Sequence, residues 1–337
     1  MKKFTTSTLI LNTLVTAGLS LVATSTALAQ DWPTSKDKIE LVVPFNTGGS
    51  ADRMARALAP QLSRELNNVA ITVTNRPGAS GAVGATIYAK GPSDGSTLLV
   101  MQATPFLANA ILSGRAPVKW TDFHVINTQW IDYAIAAVPL NSTYKTFDAL
   151  LAAIESKKGA VSSATMSGSG SYLQQLAMLE LMGLPMDQIR FVTYDGGGPV
   201  RTSIAGGHTD FTFVAATGSE SIRDRIRSLA IVHDRPVKEW QGPLLNQALK
   251  ARYGKEMPIF ASYTVSLISK SDFPTKYPKR YDTILKAYER VMKNPEFLAQ
   301  LEKSQIGTLW LGPTESKKIT TEGYDGLAKY SHLLKKK

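Results

Sequence analysis

The sequence predicts an α/β protein made of two lobes, on three observations. Apolar, β-rich runs alternate with helical patterns along most of the 337 residues, an alternation that favours largely parallel sheets. A unit of strand, Gly/Ser loop and amphipathic helix occurs once at Gly48 and Gly49 and again at Gly168 and Gly170. No low-complexity linker and no short-period repeat divides the chain. With 43% hydrophobic and 19% charged residues it has the material for a full core, which excludes a disordered or fibrous chain.

In order, the apolar run at residues 39–45 reads as the first strand. The turn Asn46-Thr47-Gly48-Gly49 then leads into a helix with Ala51, Met54, Ala55, Leu58, Ala59, Leu62 and Leu66 on one face at helical spacing. Residues 69–74 read as the second strand, and the Gly-rich stretch 75–85 enters a short helix ending near Lys90. A third strand covers 97–102, after the turn Gly91-Pro92-Ser93-Asp94-Gly95. A second block starts near Tyr133 with a buried strand at 134–138, and Thr146 caps a helix running to about Ser156. Residues 161–165 form another strand, followed by the polar loop 166–171 and a helix carrying Leu173, Leu176, Ala177 and Leu181. Strands at 191–192, 211–214 and 229–232 complete this block, with a Gly-rich turn at 195–199. Residues 259–268 read as a long strand, followed by helical patterns at 279–292, 295–303 and 314–334.

A chain that makes one lobe, builds a second and returns to the first needs two crossing segments, and the apolar runs at 131–139 and 260–268 are the candidates. The first lobe then takes residues 30–132 and 260–337, and the second takes 133–259. Two lobes joined by two strands can close on a ligand like a hinge.

The N-terminus points to export. Lys2 and Lys3 precede an apolar stretch at 9–22 that is broken by Asn12, Thr13, Thr16, Gly18 and Ser20, and Ala27-Leu28-Ala29 fits signal-peptidase cleavage. The stretch is shorter and more polar than the ~20 residues of a spanning helix, so residues 1–29 are expected to be a cleaved signal peptide. The absence of cysteine excludes a lipid anchor on the new N-terminus, a disulfide scaffold, a cysteine nucleophile and thiolate metal sites. His124, His208, His233 and His332 never fall at i,i+3 or i,i+4, so neither a metal nor another cofactor is expected. The formal charge is +11, but the basic residues are spread along the chain and cluster only at Lys335, Lys336 and Lys337. With no nucleic-acid motif, that charge reads as a diffuse field favouring anionic ligands rather than a nucleic-acid partner.

Catalytic signatures fail on their context. Residues 91–95 match G-x-S-x-G, but a nucleophile elbow needs a strand before it and a helix after it, and here the order is reversed. No phosphate-loop string occurs, Gly168 and Gly170 lack the third glycine of a dinucleotide fingerprint, and no acid/base pair stands out, so no catalysis is expected. The two Gly/Ser loops are different. Glycines before a helix let the backbone approach a ligand, and the free N–H groups of the first turn favour an anion such as a carboxylate. The same glycines would also serve ordinary tight turns.

The strings VVPFNTGGSADRMARALAPQL, NRPGASGAVGA and PSDGSTLL resemble the receptors of tripartite tricarboxylate transporters, also called Bug proteins. Later strings, SGSGSYLQQLAMLELMG and TYDGGGPVRTSIAGGHTDF, resemble that family's second-lobe motifs. The resemblance implies a type II-like, two-lobed periplasmic binding protein that closes on a carboxylated metabolite. It implies delivery to a two-subunit, ion-gradient-driven permease by a monomeric receptor. It also implies a ligand carboxylate held by backbone amides, hydroxyls and waters at Thr47, Gly48, Gly49, Ser50 and Asp52, and at Ser167, Gly168, Ser169, Gly170 and Ser171. Further candidates come from position. Phe45 would form the cleft floor, Thr104 and Phe106 follow the third strand, Tyr172 would stack on the ligand body, and Asp195 would favour an ammonium or hydroxyl beside the carboxylate. His208 reads as a turn residue. Gln174 and Gln175 stand where the family has a histidine, and Asp195 where a lysine often precedes the glycines. The competing readings are a receptor that senses the ligand for signalling and a secreted α/β hydrolase.

Overall fold

β-branched and leucine side chains at 39–43 place β1 (Lys38–Val43) inside the first sheet. It pairs in parallel with β2 (Ala70–Asn75) and with β3 (Thr97–Gln102). β10 (Tyr263–Lys270) and β4 (Phe123–Asp132) extend the sheet in the order β2-β1-β3-β10-β4, and β10 is antiparallel to both its neighbours. This computed structural model describes residues 32–260 and 263–335, so the signal peptide expected at 1–29 lies outside the described residues.

The second lobe is built on β5 (Ala134–Pro139), which lies antiparallel between β8 (Thr212–Ala215) and β9 (Ile226–Val232). β6 (Val161–Thr165) and β7 (Ile189–Thr193) pair in parallel, and Ser163 bridges them to Phe211 at the edge of β8. The sheets are therefore mixed rather than largely parallel. β5 and β10 each enter a sheet antiparallel to their neighbours, whereas the strand–helix–strand unit that joins β1 to β2 stays parallel.

In the first lobe, α1 (Ser50–Glu65) buries Ala51, Met54, Ala55, Leu58 and Leu62, the stripe its spacing predicts. α2 (Ala82–Lys90) and α3 (Ala108–Leu112) follow β2 and β3. α4 (Phe147–Ser156), α5 (Gly170–Leu181), α6 (Gly197–Ala205) and α7 (Leu245–Tyr253) belong to the second lobe. The chain returns through β10 to α8 (Phe273–Lys276), α9 (Pro278–Val291), α10 (Pro295–Lys303), α11 (Gly312–Ala328) and α12 (Ser331–Lys335). The single helix expected at 314–334 is thus two, and neither β4 nor α7 was expected. Leu41 and Val43 join the apolar cluster shared with α1, α9 and α10, while Val42 joins the cluster that runs on into the second lobe. That split is the two-residue period of a strand.

Candidate functional site

The first loop is shaped by Gly48, whose φ of +84° is a left-handed conformation that favours glycine. The buried Asp52 carboxylate accepts from the Gly48 amide at 2.9 Å, from Arg56 Nε at 3.0 Å and from Asn75 Nδ2 at 2.9 Å. Burial alone would raise this carboxyl, but the bonds from Arg56, Gly48 and Asn75 hold it below the usual carboxylate range. Asp52 therefore locks the loop, leaving Gly49 at the N-cap of α1 and the first-turn amides without helical partners. Gln102 Nε2 adds a bond to Ser50 Oγ at 2.8 Å.

In the second lobe, Ser169 caps α5 by accepting from the Tyr172 amide at 3.1 Å, and Ser171 Oγ hydrogen-bonds the Tyr263 hydroxyl across to β10. A third helix start joins these two. α6 begins at Gly197 with Gly196 as its N-cap and no side chain capping it. All three starts line one cavity of about 300 Å³, at the low end for a small-molecule site. Phe45, Phe106, Trp130, Phe213, Tyr263 and Val265 supply apolar wall, with the Phe45 and Phe106 rings edge-on at 5.2 Å.

The charged residues among the lining are Arg53, Arg201 and Asp132. Arg53 donates to the carbonyls of Ser304 and Gln305 and lies 5.8 Å from the Trp130 ring centre. Asp132 ends β4, and its Oδ1 accepts from the Tyr133 amide at 2.9 Å, the Thr217 hydroxyl at 2.9 Å and the Thr217 amide at 3.2 Å. Burial outweighs those donors and pushes its carboxyl up to about 6. Gln102 Oε1 and Thr165 Oγ1, on residues of the lining, are buried without a protein partner among the described residues.

Of the residues expected at the site, the structure brings Phe45, Thr47, Gly48, Gly49, Ser50, Ser169 and Ser171 to the cavity, together with Phe106. The remainder lie outside its lining. Asp52 acts on the loop from behind. Thr104 is buried against β10, where its amide and hydroxyl bond Thr264 Oγ1 at 2.9 and 2.8 Å. Ser167 and Gly168 turn their carbonyls to the first lobe, where Ser80, Asn109 and Arg115 donate to them. Gly170 lets α5 pack on Pro105, whose ring a Cβ there would strike. Tyr172 packs edge-on to Phe191 at 4.9 Å, and Asp195 is exposed. Missed by sequence reasoning were Arg53, Asp132, Gly196, Gly197, Gly198 and Arg201. The triple glycine before α6 is the same signal as at the other two loops. An arginine on a helix face, by contrast, reads as solvated until the fold places it.

A family profile described as tripartite tricarboxylate transporter family receptor matches residues 54–309. The UPF0065 protein in the tcbD-tcbE intergenic region of Pseudomonas sp. (strain P51) is 28% identical over 222 residues, which cover 64% of this chain and 65% of that protein. BugT of Bordetella pertussis is 32% identical over 201 residues, 58% of this chain and 60% of BugT. The matches thus span under two thirds of these relatives' lengths. Among solved structures, R. palustris Rpa4515 with adipate superposes with a TM-score of 0.72 at 20% identity, covering 90% of this chain and 98% of that one. MatC from Rhodopseudomonas palustris with bound malate gives 0.71 at 18% identity, covering 88% and 99%. These likenesses show the two-lobed fold. The profile match, which runs from the second turn of α1 to the segment after α10, shows the lineage: the chain belongs to the receptor family of the tripartite tricarboxylate transporters.

Proposed function

We propose that this protein is a periplasmic receptor that captures a small carboxylate-containing metabolite between its lobes and presents it to the membrane subunits of a tripartite transporter, catalysing nothing itself. The observation that carries this reading is the meeting of three helix N-termini on one cavity. A helix N-terminus contributes up to ~2 kcal/mol toward an anion when partly buried, and a charge-assisted hydrogen bond about 1.5–3 kcal/mol. Three termini with two such bonds reach the roughly 8 kcal/mol of micromolar binding. The carboxylates named for the related folds, adipate and malate, support the ligand class. In this reading residues 30–132 and 260–337 close against residues 133–259, driven by tighter ligand binding to the closed state.

A thermal-shift panel of mono-, di- and tricarboxylates tests it. At least one should raise the melting temperature, since a ligand at 100 times its Kd adds about 2.7 kcal/mol. A panel in which no carboxylate acts while a sugar or a cation does would overturn the carboxylate assignment. Mass spectrometry of ligand carried through purification would then name the compound.

A further inference from the structure

We propose that Asp132 makes the cavity select carboxylates that also carry a hydrogen-bond donor, a hydroxyl or an ammonium. The inference rests on the receptor reading above and adds to it which carboxylates the cavity accepts. Asp132 is the last residue of β4 and the one acidic residue in the lining. At 5% exposure it is a buried carboxyl. The Tyr133 amide, the Thr217 amide and the Thr217 hydroxyl all donate to the same oxygen, Oδ1. Among the described residues Oδ2 takes no such bond, and it is not sealed within the protein as Gln102 Oε1 and Thr165 Oγ1 are. It therefore opens on the cavity that Asp132 lines.

The neighbouring donors are spoken for or fall short. The Gly218 amide exerts the least pull of the groups that lower this carboxyl, and burial still pushes it up to about 6. Arg201, also in the lining, feels the Asp132 charge but makes no hydrogen bond to it. The Tyr263 hydroxyl, on the strand residue paired with Asp132, is engaged with Ser171 Oγ. An ionised carboxylate only accepts. Water can serve Oδ2 while the cavity is free. A ligand that displaces this water with a methylene or an oxo group leaves a buried acceptor unpaired, whereas a hydroxyl or an ammonium restores the bond. The selecting role expected of Asp195, which is exposed and outside the lining, thus falls to Asp132.

The test is isothermal titration of the whole mature chain at about pH 7.5, where Asp132 is ionised. The ligands are matched sets that differ in one substituent: propanoate, lactate, alanine and pyruvate, and likewise succinate, malate, aspartate and oxaloacetate. In a set that binds, the hydroxy or the amino member should bind roughly 10- to 100-fold more tightly than the unsubstituted and oxo members. Asp132→Asn keeps an acceptor at Oδ1 and puts an amide N–H in place of Oδ2, so it should lift the oxo member to or above the hydroxy member. An amino member weakened more than the hydroxy member names the ammonium as the donor, and the reverse names the hydroxyl. A purely structural Asp132 would, when replaced, weaken every member alike, which would overturn the proposal. A wild type that binds the unsubstituted or oxo member as tightly as the other two would also overturn it. If neither these sets nor the thermal-shift panel yields a binding carboxylate, the receptor reading itself fails and the inference falls with it.

Discussion

Asp52 and Asp132 are both buried carboxyls of the first lobe, and their partners drive them apart. Asp52 has a guanidinium and two N–H donors, and it stays ionised well into the acid range. Asp132 has one amide and one hydroxyl at 2.9 Å and a longer amide bond, and burial prevails, raising its carboxyl to about 6. The sign follows from where protons sit. Between about pH 4, where an unfolded aspartate titrates, and about 6, the folded protein holds a proton at Asp132 that the unfolded chain has released. Stability therefore falls as pH rises through that window, by about 3 kcal/mol for this group at 1.36 kcal/mol per pKa unit. Asp132→Asn should flatten the fall, so its melting temperature should exceed the wild type's at about pH 7.5 and converge with it near pH 4. Differential scanning calorimetry across that range reads this. A wild-type curve that rises from pH 4 to pH 6 with no change in Asp132→Asn would show Asp132 to be ionised throughout.

At the scale of elements, legibility followed the reach of the interactions. The helix α4 begins where Thr146 accepts from the Ala149 amide at 3.1 Å, a bond made three residues away and so visible in the string itself. Asn294 and Pro295 mark α10 in the same local way. β4 was illegible because its middle residues, Asn127, Thr128 and Gln129, are polar yet fully buried. Their partners come from 159 to 188 residues downstream. Asn127 Oδ1 accepts from the Leu311 and Gly312 amides at 2.9 and 3.0 Å, Ser316 Oγ accepts from the Thr128 amide at 2.8 Å, and Gln129 Oε1 accepts from the Tyr288 hydroxyl at 2.7 Å. The loops at α1 and α5 could be read from Gly and Ser, while Arg53 and Arg201 could not, since only tertiary packing turns them inward. Asn127→Leu keeps the side-chain volume nearly constant but strips two buried amides at the start of α11 of their acceptor. It should cost about 1–3 kcal/mol for each amide left unsatisfied. Urea unfolding should show a lower midpoint, and an unchanged midpoint would mean that water replaces Asn127 at those amides.

Over the whole molecule, the lobes meet through more than the chain crossings near Asp132 and β10. Ser80 Oγ donates to the Ser167 carbonyl at 2.6 Å, Asn109 Nδ2 to the Gly168 carbonyl at 3.1 Å, and Arg115 Nη1 and Nη2 to the same two carbonyls at 3.0 and 3.3 Å. Under the lobe division proposed above, these donors stand on one side of the cleft and the carbonyls, on the loop that starts α5, on the other, so lobe opening would break the bonds. Arg115 lies outside the cavity lining, and Gly168 runs so close to its guanidinium that a Cβ there would collide with it. On the proposed function, the contacts would act on ligand affinity through the closed population alone, because a receptor that is closed only part of the time binds more weakly in proportion. Arg115→Ala should raise the Kd for a carboxylate found by the thermal-shift panel about tenfold, near 1.4 kcal/mol, without altering the order of preference among ligands. Small-angle X-ray scattering should show a larger radius of gyration for ligand-free Arg115→Ala than for ligand-free wild type, and the same compact radius for both at saturating ligand. An unchanged Kd together with identical ligand-free radii would mean that the loop contacts do not set the closing equilibrium and that the crossings alone govern it.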